Sequence, residues 1–263
     1  MKMRCASCYA LAMIVLLDGT ILHAAEPKPL AVPSSAEDRA GWPQPTGDNA
    51  PNTFVLLDLL EYQESRVSGT IRWDFYGWYG GDEKRVWFKT EGTQSTARGG
   101  GGDAEAQVLY GQLISPFFDA QAGVRLRHRS GPNQNVTRTY ASIGLQGLAP
   151  YRYELEPTVF VSERGQVSAR VTATYDQLIS QRLIFQPRLE FNIAAQPDRP
   201  MLTGSGLNDT ELGARLRYEV RREFAPYVGV TWKQRYGETK HLARADGEPG
   251  SLVSLVVGVR LWF

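Results

Sequence analysis

The sequence has few cysteines and histidines, no long apolar run and almost no net charge. Its two cysteines, Cys5 and Cys8, lie in the first eight residues, so the rest of the chain has neither disulfides nor thiolate metal ligands. No apolar run reaches the roughly 20 residues that a membrane-spanning helix requires. The net charge of +1 gives no support for nucleic-acid binding, and we expect no nucleic-acid partner.

The N-terminal segment has two parts whose compositions differ from the remainder. Lys2 and Arg4 precede an apolar run over residues 10–17, and small residues follow, so we expect residues 1–25 to be a cleaved signal peptide. Residues 26–51 contain repeated prolines among polar residues and lack apolar periodicity. Because this composition supports neither helix nor sheet, we expect a disordered periplasmic segment, with a short docked plug as the alternative.

The last thirteen residues show the alternation that characterises the rest of the chain. Apolar residues alternate with small or polar ones, which predicts a strand with two unlike faces. In an outer-membrane barrel the apolar face contacts lipid and the other face lines a polar lumen. A terminal aromatic strand is also the signal that barrel-assembly machinery recognises, so outer-membrane lipid and that machinery are expected partners. The predicted lipid-facing residues are Val253, Leu255, Val257, Val259, Leu261 and Phe263.

From residue 52 onward, alternating segments are separated by turn signals, and twelve such segments are found. Their lengths suit tilted strands that cross a membrane. The predicted fold is therefore all-β: a closed antiparallel transmembrane β-barrel of about 12 strands, formed by residues 52–263. The predicted strands are Thr53–Glu64, Ser68–Gly80, Lys84–Thr93, Asp103–Ser115, Phe118–Arg129, Arg138–Leu148, Tyr151–Glu163, Gln166–Ile179, Arg182–Ala195, Leu207–Arg221, Phe224–Tyr236 and Ser251–Phe263.

The lengths of the connections distinguish a membrane barrel from a soluble sandwich. Connections after even-numbered strands are tight, whereas those after odd-numbered strands are often long. This segregation, with an even number of strands, is typical of outer-membrane barrels. We therefore expect the protein in the outer membrane of a Gram-negative bacterium, with both termini in the periplasm and the long loops extracellular. The long loops are predicted at 94–102, 130–137, 196–206 and 237–250.

Many charged residues fall on the inward face of the predicted strands. A soluble core could not bury them, because each isolated ion would cost on the order of several kcal/mol. A narrow barrel can hold them as ion pairs around water, and near-equal numbers of both signs argue against an open, strongly selective pore. The predicted inward charges are Arg72, Asp74, Lys89, Glu91, Glu105, Asp119, Arg125, Arg127, Glu154, Glu156, Arg170, Asp176, Arg188, Glu190, Glu211, Arg215, Arg217, Glu219, Lys233, Arg235 and Arg260.

Several separate segments, in order, resemble the copper resistance protein B family over essentially all of residues 52–263. The resemblance implies an outer-membrane β-barrel that binds copper ions or passes them across the membrane, with a periplasmic copper-binding partner. Many family members have a Met- and His-rich N-terminal region, suited to soft copper ions, but residues 26–51 contain neither residue. The segments include LLDLLEYQ, YGWYGGDEKRVWFKTEG, LYGQLISPFFDAQAGVR, LISQRLIFQPRLEFNIAAQ and GVRLWF.

Few side chains of the sequence could coordinate a copper ion, whether copper is a bound ion or a transported substrate. His128 ends a predicted strand near the extracellular side, and His241 and Met201 lie in predicted loops of the same side, so the three could converge. Inward carboxylates could attract cations weakly, although oxygen ligands suit copper less well than imidazole. This pattern favours a low-affinity path over a storage site. The candidate carboxylates are Asp74, Glu91, Glu154, Glu156 and Glu190.

The sequence gives little support for catalysis. No GxSxG or HExxH motif occurs, and only His128 and His241 could serve as a base beyond residue 52. We therefore predict that the chain is not an enzyme such as an outer-membrane hydrolase. A general porin-like or structural barrel without copper specificity is the alternative to a copper-handling barrel.

Overall fold

The computed structural model describes residues 51–131 and 135–263, which form a closed antiparallel barrel of twelve long strands. The predicted signal peptide and, apart from Pro51, the predicted Pro-rich segment lie outside the described residues. The strands are β1 (Asn52–Ser65), β2 (Gly69–Gly80), β3 (Lys84–Ser95), β4 (Gly102–Ser115), β5 (Phe118–Ser130), β6 (Asn135–Ala149), β7 (Tyr153–Ser162), β8 (Val167–Tyr175), the two-residue β9 (Gln177–Leu178), β10 (Leu183–Ala194), β11 (Gly206–Tyr218), β12 (Phe224–Arg235) and β13 (Ser251–Trp262).

The barrel closes where β13 pairs antiparallel with β1, as predicted. The register shifts within this pair: Leu57 lies opposite Leu261, but Leu60 lies opposite Val259. The extra residue in β1 is a bulge, which moves later side chains to the opposite face. Consequently Leu56 and Glu61 are both buried in the lumen, with 2% of each residue exposed, although regular alternation would place them on opposite faces.

The outer face of the barrel is apolar and uncovered by any other part of the described chain. In β13, Val253, Leu255 and Val257 are 57%, 64% and 61% exposed, whereas the intervening Val256 is only 1% exposed. Such a continuous exposed apolar surface requires a lipid environment. The predicted lipid-facing orientation of β13 is therefore confirmed, and Arg260 faces inward, where its Nε lies 2.8 Å from Asp58 Oδ1.

The two ends of the barrel differ, and we call them the loop end and the turn end. The loop end carries α1 (Gly237–Ala245), between β12 and β13, and a 3₁₀ turn at Arg199–Met201. Alternation does not predict this helix, whose Thr239 and Ala243, one turn apart, face inward and are buried. Thr239 Oγ1 donates a hydrogen bond to Asn208 Oδ1 at 2.9 Å. No helix in the described part of the chain is long and apolar enough to cross a membrane.

At the turn end, β8 stops earlier than the sequence predicts. The predicted strand Gln166–Ile179 is interrupted after Tyr175, and pairing with β10 resumes only at β9. Pro187 of β10 lies at this interruption and has no N–H to donate to the ladder. The Asp176 side chain turns into the lumen, where its Oδ1 accepts a hydrogen bond from Gln186 Nε2 at 2.9 Å. Together these contacts break the strand.

The turn between β6 and β7 has an unusual backbone. Tyr151 and Arg152 both have a φ of 67°, in the left-handed region that asparagine and glycine adopt most readily. For other residues this conformation costs roughly 1–2 kcal/mol each. Tyr151 is nevertheless 87% exposed, so its ring is not held in place by burial.

An aromatic cluster narrows the lumen near the turn end. The rings of Phe54 and Trp78 stack with centroids 6.0 Å apart, and Trp78 lies 6.3 Å from Trp87. Trp87 is only 4% exposed and covers Gly111, where a Cβ atom would come within 2.5 Å of Trp87 Nε1. A glycine at this position is therefore required for the indole to lie flat against the barrel wall.

Candidate functional site: the charged lumen

A layer of ion pairs crosses the lumen and joins opposite walls of the barrel. Arg170 of β8 contacts Glu91 of β3, and its Nη1 donates to Glu105 Oε1 of β4 at 2.9 Å. Its Nε also lies 3.7 Å from Glu190 Oε1 of β10. One guanidinium thus joins three carboxylates from three strands, and β3 lies almost opposite β8 in the ring of strands.

Two further ion pairs cross the lumen and join strands that are not neighbours in the barrel. Arg188 Nη1 of β10 donates to Asp74 Oδ2 of β2 at 3.0 Å. Lys89 Nζ of β3 donates to Glu156 Oε1 of β7 at 2.5 Å. Because these side chains reach across the barrel instead of lying along its wall, they occupy the space through which a solute would have to pass.

The most deeply buried pair links β1 with β11. Arg215 Nε donates to Glu61 Oε2 and Arg215 Nη2 to Glu61 Oε1, both at 2.9 Å. The side chains are 1% and 0% exposed. The hydroxyl of Tyr227 donates to the same carboxylate at 3.1 Å. A bidentate pair with an additional donor satisfies both ions, which makes such deep burial tolerable.

The predicted inward charges are confirmed as a luminal network. All of them are buried or half-buried. Within the described residues, each except Glu154 has an oppositely charged partner within 4.0 Å. Near-complete pairing explains how a narrow lumen holds so many ions, since each unpaired buried charge would be strongly destabilising.

A cavity of about 460 Å³ lies between this layer and the loop end, and we call it the vestibule. The β10–β11 and β12–β13 loops contribute to its walls. Arg138 Nε of β6 holds the first loop by donating to Asp198 Oδ2 at 3.0 Å. Glu248 of the second loop accepts from Arg235 at 2.5 Å and also from Arg129. These pairs fix both loops against the strand ends.

A smaller cavity of about 60 Å³ lies on the other side of the ion-pair layer, and we call it the lower cavity. Glu91, Phe160 and Arg170 line both cavities, so they form the boundary between them. Glu154, which lacks an ion-pair partner in the described chain, lines the lower cavity together with Asp74. A cation that entered this cavity would therefore meet several carboxylates, and one of them, Glu154, has no basic side chain paired with it in the described chain.

The predicted carboxylate ligands for copper are divided between the two cavities. The five predicted carboxylates all line the vestibule or the lower cavity: Glu190 the vestibule, Glu91 both, and Asp74, Glu154 and Glu156 the lower cavity. Within residues 51–131 and 135–263, no group of three or more His, Cys, Asp or Glu side chains is arranged to hold a metal ion.

The two histidines and the methionine lie on different surfaces. Met201 is 1% exposed and lines the vestibule. His128 is exposed on the outer face of β5, where Nδ1 lies 2.8 Å from Thr137 Oγ1. His241 is exposed on α1. Neither histidine lines the vestibule, so the structure does not bring the three together in that cavity.

Sequence reasoning missed several members of the network. Asp58 and Glu61 of β1 both reach the lumen because of the bulge in this strand, and their spacing of three residues is the signal that regular alternation fails there. Asp198 lies in a loop, where no periodicity indicates which way a side chain points. Asp103 belongs to β4, and its two carboxylate oxygens accept three hydrogen bonds from Arg127 at 2.6–3.2 Å.

Comparison with known families identifies the barrel. The family described as Copper resistance protein B precursor (CopB) matches residues 52–263. This chain belongs to the copper resistance protein B family. Copper resistance protein B of Escherichia coli is 46% identical over 216 residues, covering 82% of this chain and 71% of that protein. The Copper resistance protein B homolog of Pseudomonas syringae pv. tomato (strain ATCC BAA-871 / DC3000) is 42% identical over 216 residues, which also cover 82% of this chain and 71% of that protein.

The fold resembles that of outer-membrane porins. The solved NanC porin structure aligns with a TM-score of 0.52 at 14% identity, covering 80% of this chain and 99% of that chain. At this identity the likeness shows the fold alone. Together with the family, it confirms the predicted outer-membrane β-barrel. Outer-membrane barrels place short turns on the periplasmic side and longer loops outside, so we expect the turn end, which holds both ends of the barrel domain, to face the periplasm.

Proposed function

We propose that this member of the copper resistance protein B family passes copper ions across the outer membrane along its luminal carboxylates. The observation that carries the proposal is the succession of candidate carboxylates from the vestibule to the lower cavity. From their positions in the strands, Glu190, Glu91 and its cross-strand partner Asp74 lie farther from the turn end, Glu156 follows, and Glu154 lies nearest to it.

The ion pairs give a physical account of how a cation would move without an open pore. A copper ion that approaches Glu91 competes with Arg170 for the carboxylate, and the guanidinium retains its contacts with Glu105 and Glu190. The exchange leaves each carboxylate neutralised at every stage, so no isolated buried charge is created. Carboxylate ligands hold copper more weakly than imidazole or thiolate, which suits an ion in transit.

Soft copper(I) has one suitable partner inside the barrel. Met201 is one of the residues that line the vestibule, and thioethers such as its side chain favour copper(I) over harder cations. We propose that Met201 makes the first contact with copper at the loop end, and that a periplasmic copper-binding protein receives the ion at the turn end. The exposed His128 and His241 remain candidate external ligands. The names of the relatives and the porin-like fold suggest no enzymatic role.

Equilibrium titration tests whether the luminal carboxylates bind copper. The folded barrel in detergent micelles is titrated with Cu²⁺ and, under reducing conditions, with Cu⁺. The double variant Glu91→Gln/Glu190→Gln should bind Cu²⁺ several-fold more weakly, because two carboxylates are lost. Glu64→Gln removes an exposed carboxylate from the outer face of β1 and serves as the matched control. Equal copper affinity of the parent and the double variant would remove the luminal path.

A structural barrel without copper specificity is the second candidate. The cross-lumen pairs of Arg170, Arg188 and Lys89 favour it, because they leave no continuous open channel. Single-channel recording separates the two functions. A structural barrel should stay silent with or without copper, whereas a copper path should conduct in copper salts and lose this conductance when Glu91 and Glu190 are both neutralised.

A further inference from the structure

Four arginines at the turn end differ from those in the lumen. Luminal arginines lie beside carboxylates, but Arg152, Arg182, Arg221 and Arg222 are exposed. None of the four lies within 4.0 Å of a carboxylate in the described chain. They occupy three successive turns, namely β6–β7, β8–β10 and β11–β12. Their positive charge therefore faces the periplasmic side of the membrane without a carboxylate in ion-pair distance, although the exposed Glu223 lies in the β11–β12 turn beside Arg222.

Each of these turns also exposes apolar side chains. Tyr151 precedes Arg152 and is 87% exposed, Ile179 in the β8–β10 turn is 58% exposed, and Val220 precedes Arg221 and is 48% exposed. The exposed apolar groups are unfavourable in water, whereas the arginines beside them require a polar or charged environment. They are the composition expected where a protein meets the boundary between lipid tails and charged headgroups.

The β6–β7 turn contains two residues whose backbone conformation is strained. Tyr151 and Arg152 are both left-handed, and an Asn-Gly pair would adopt this backbone with little strain. Strain that the fold itself does not require points to a function of the side chains concerned. Local packing does not account for these two residues, because both side chains are exposed.

The lipid-facing surface continues into these turns, which favours lipid over a protein as the occupant. The rings of Tyr153 and Tyr175 pack at an angle of 33° with centroids 4.9 Å apart, and Tyr153 is 45% exposed on the outer face. Tyr151 lies two residues before Tyr153. In the same way, Val220 lies two residues after the outward Tyr218. The exposed groups of the turns thus extend the belt that contacts the membrane.

We propose that these three turns bind the phosphate headgroups of anionic phospholipids in the inner leaflet. The planar guanidinium donates paired hydrogen bonds to phosphate oxygens. The neighbouring Tyr151, Ile179 and Val220 enter the interface below the headgroups. The site anchors the periplasmic rim and is independent of the copper path, since none of its residues lines the vestibule or the lower cavity.

Native mass spectrometry of the folded barrel with added phosphatidylglycerol or phosphatidylcholine tests the site. The parent should prefer phosphatidylglycerol. Replacing all four arginines by glutamine should weaken phosphatidylglycerol binding by roughly fivefold for each arginine removed. Arg98→Gln is the matched control, because Arg98 is equally exposed in the β3–β4 loop but is flanked only by Ala97 and Gly99. It should change phosphatidylglycerol affinity little.

The double variant Tyr151→Asn/Arg152→Gly separates lipid binding from folding. It should keep or raise the urea midpoint of the barrel in lipid-free detergent, because strain is relieved, while its affinity for phosphatidylglycerol falls. The proposal is overturned if the four-arginine variant binds phosphatidylglycerol as tightly as the parent, or loses no more than Arg98→Gln does. In either case an acidic periplasmic protein becomes the better occupant of these turns.

Discussion

Replacing Arg215 by methionine tests whether the pair of Glu61 and Arg215 is as fully excluded from water as its burial indicates. The substitution keeps an unbranched apolar stem but removes the guanidinium and with it both hydrogen bonds to Glu61, whose side chain is 0% exposed. Each charge-assisted bond contributes about 1.5–3 kcal/mol. Breaking a buried pair from one side costs about 3–5 kcal/mol, because a charge is left without its partner. We expect the free energy of unfolding to fall by this amount.

Urea denaturation in lipid vesicles, followed by tryptophan fluorescence, measures this loss. Arg199→Met is the matched control, because Arg199 pairs with Glu238 at 3.4 Å while its side chain is 76% exposed. Exposed pairs contribute about 0–1 kcal/mol. The double variant Glu61→Leu/Arg215→Met should recover most of the lost stability, because no buried charge remains. A loss below about 1 kcal/mol for Arg215→Met would show that water reaches Glu61 and contradict the exclusion of water from this ion pair.

The outer face and the loops give three further predictions. Val257→Arg should destabilise the barrel by about 2–4 kcal/mol in vesicles, whereas Val253→Arg, nearer the loop end, should cost about 0–1 kcal/mol; equal costs would contradict the placement in the membrane. Arg138→Gln should release the β10–β11 loop and speed subtilisin cleavage within residues 195–205; an unchanged cleavage rate would show that Arg138 does not hold the loop. Replacing His128 and His241 by alanine together should weaken copper binding if they are external ligands, and unchanged affinity would remove them.

The alternation of the sequence predicts most of the fold for a physical reason. Lipid outside and paired charges inside impose opposite demands on neighbouring residues, so each strand carries a strict period of two. β13 shows this clearly, because Leu255 is 64% exposed, whereas its neighbours Ser254 and Val256 are 4% and 1% exposed. Because charged residues must face the lumen, the inward charges could be identified from their positions in the alternating sequence, without knowing which residues contact each other.

Features that depend on pairing between distant strands could not be predicted. The partner of Arg170 depends on which strands lie opposite each other, and this is set by the number and stagger of strands in the closed barrel. The bulge that turns Asp58 and Glu61 inward and the break beside Pro187 interrupt the period locally. Asp198 reaches Arg138 from a loop that has no period at all.

Copper flux into vesicles tests the central claim most directly. The folded chain is reconstituted into liposomes that enclose either a copper-sensitive or a Mg²⁺-sensitive fluorophore, and the matching ion is added outside. We predict that copper enters faster than it enters protein-free liposomes and faster than Mg²⁺, and that Glu91→Gln/Glu190→Gln slows this entry. Copper entry no faster than in protein-free liposomes, or equal rates for copper and Mg²⁺, would contradict the account.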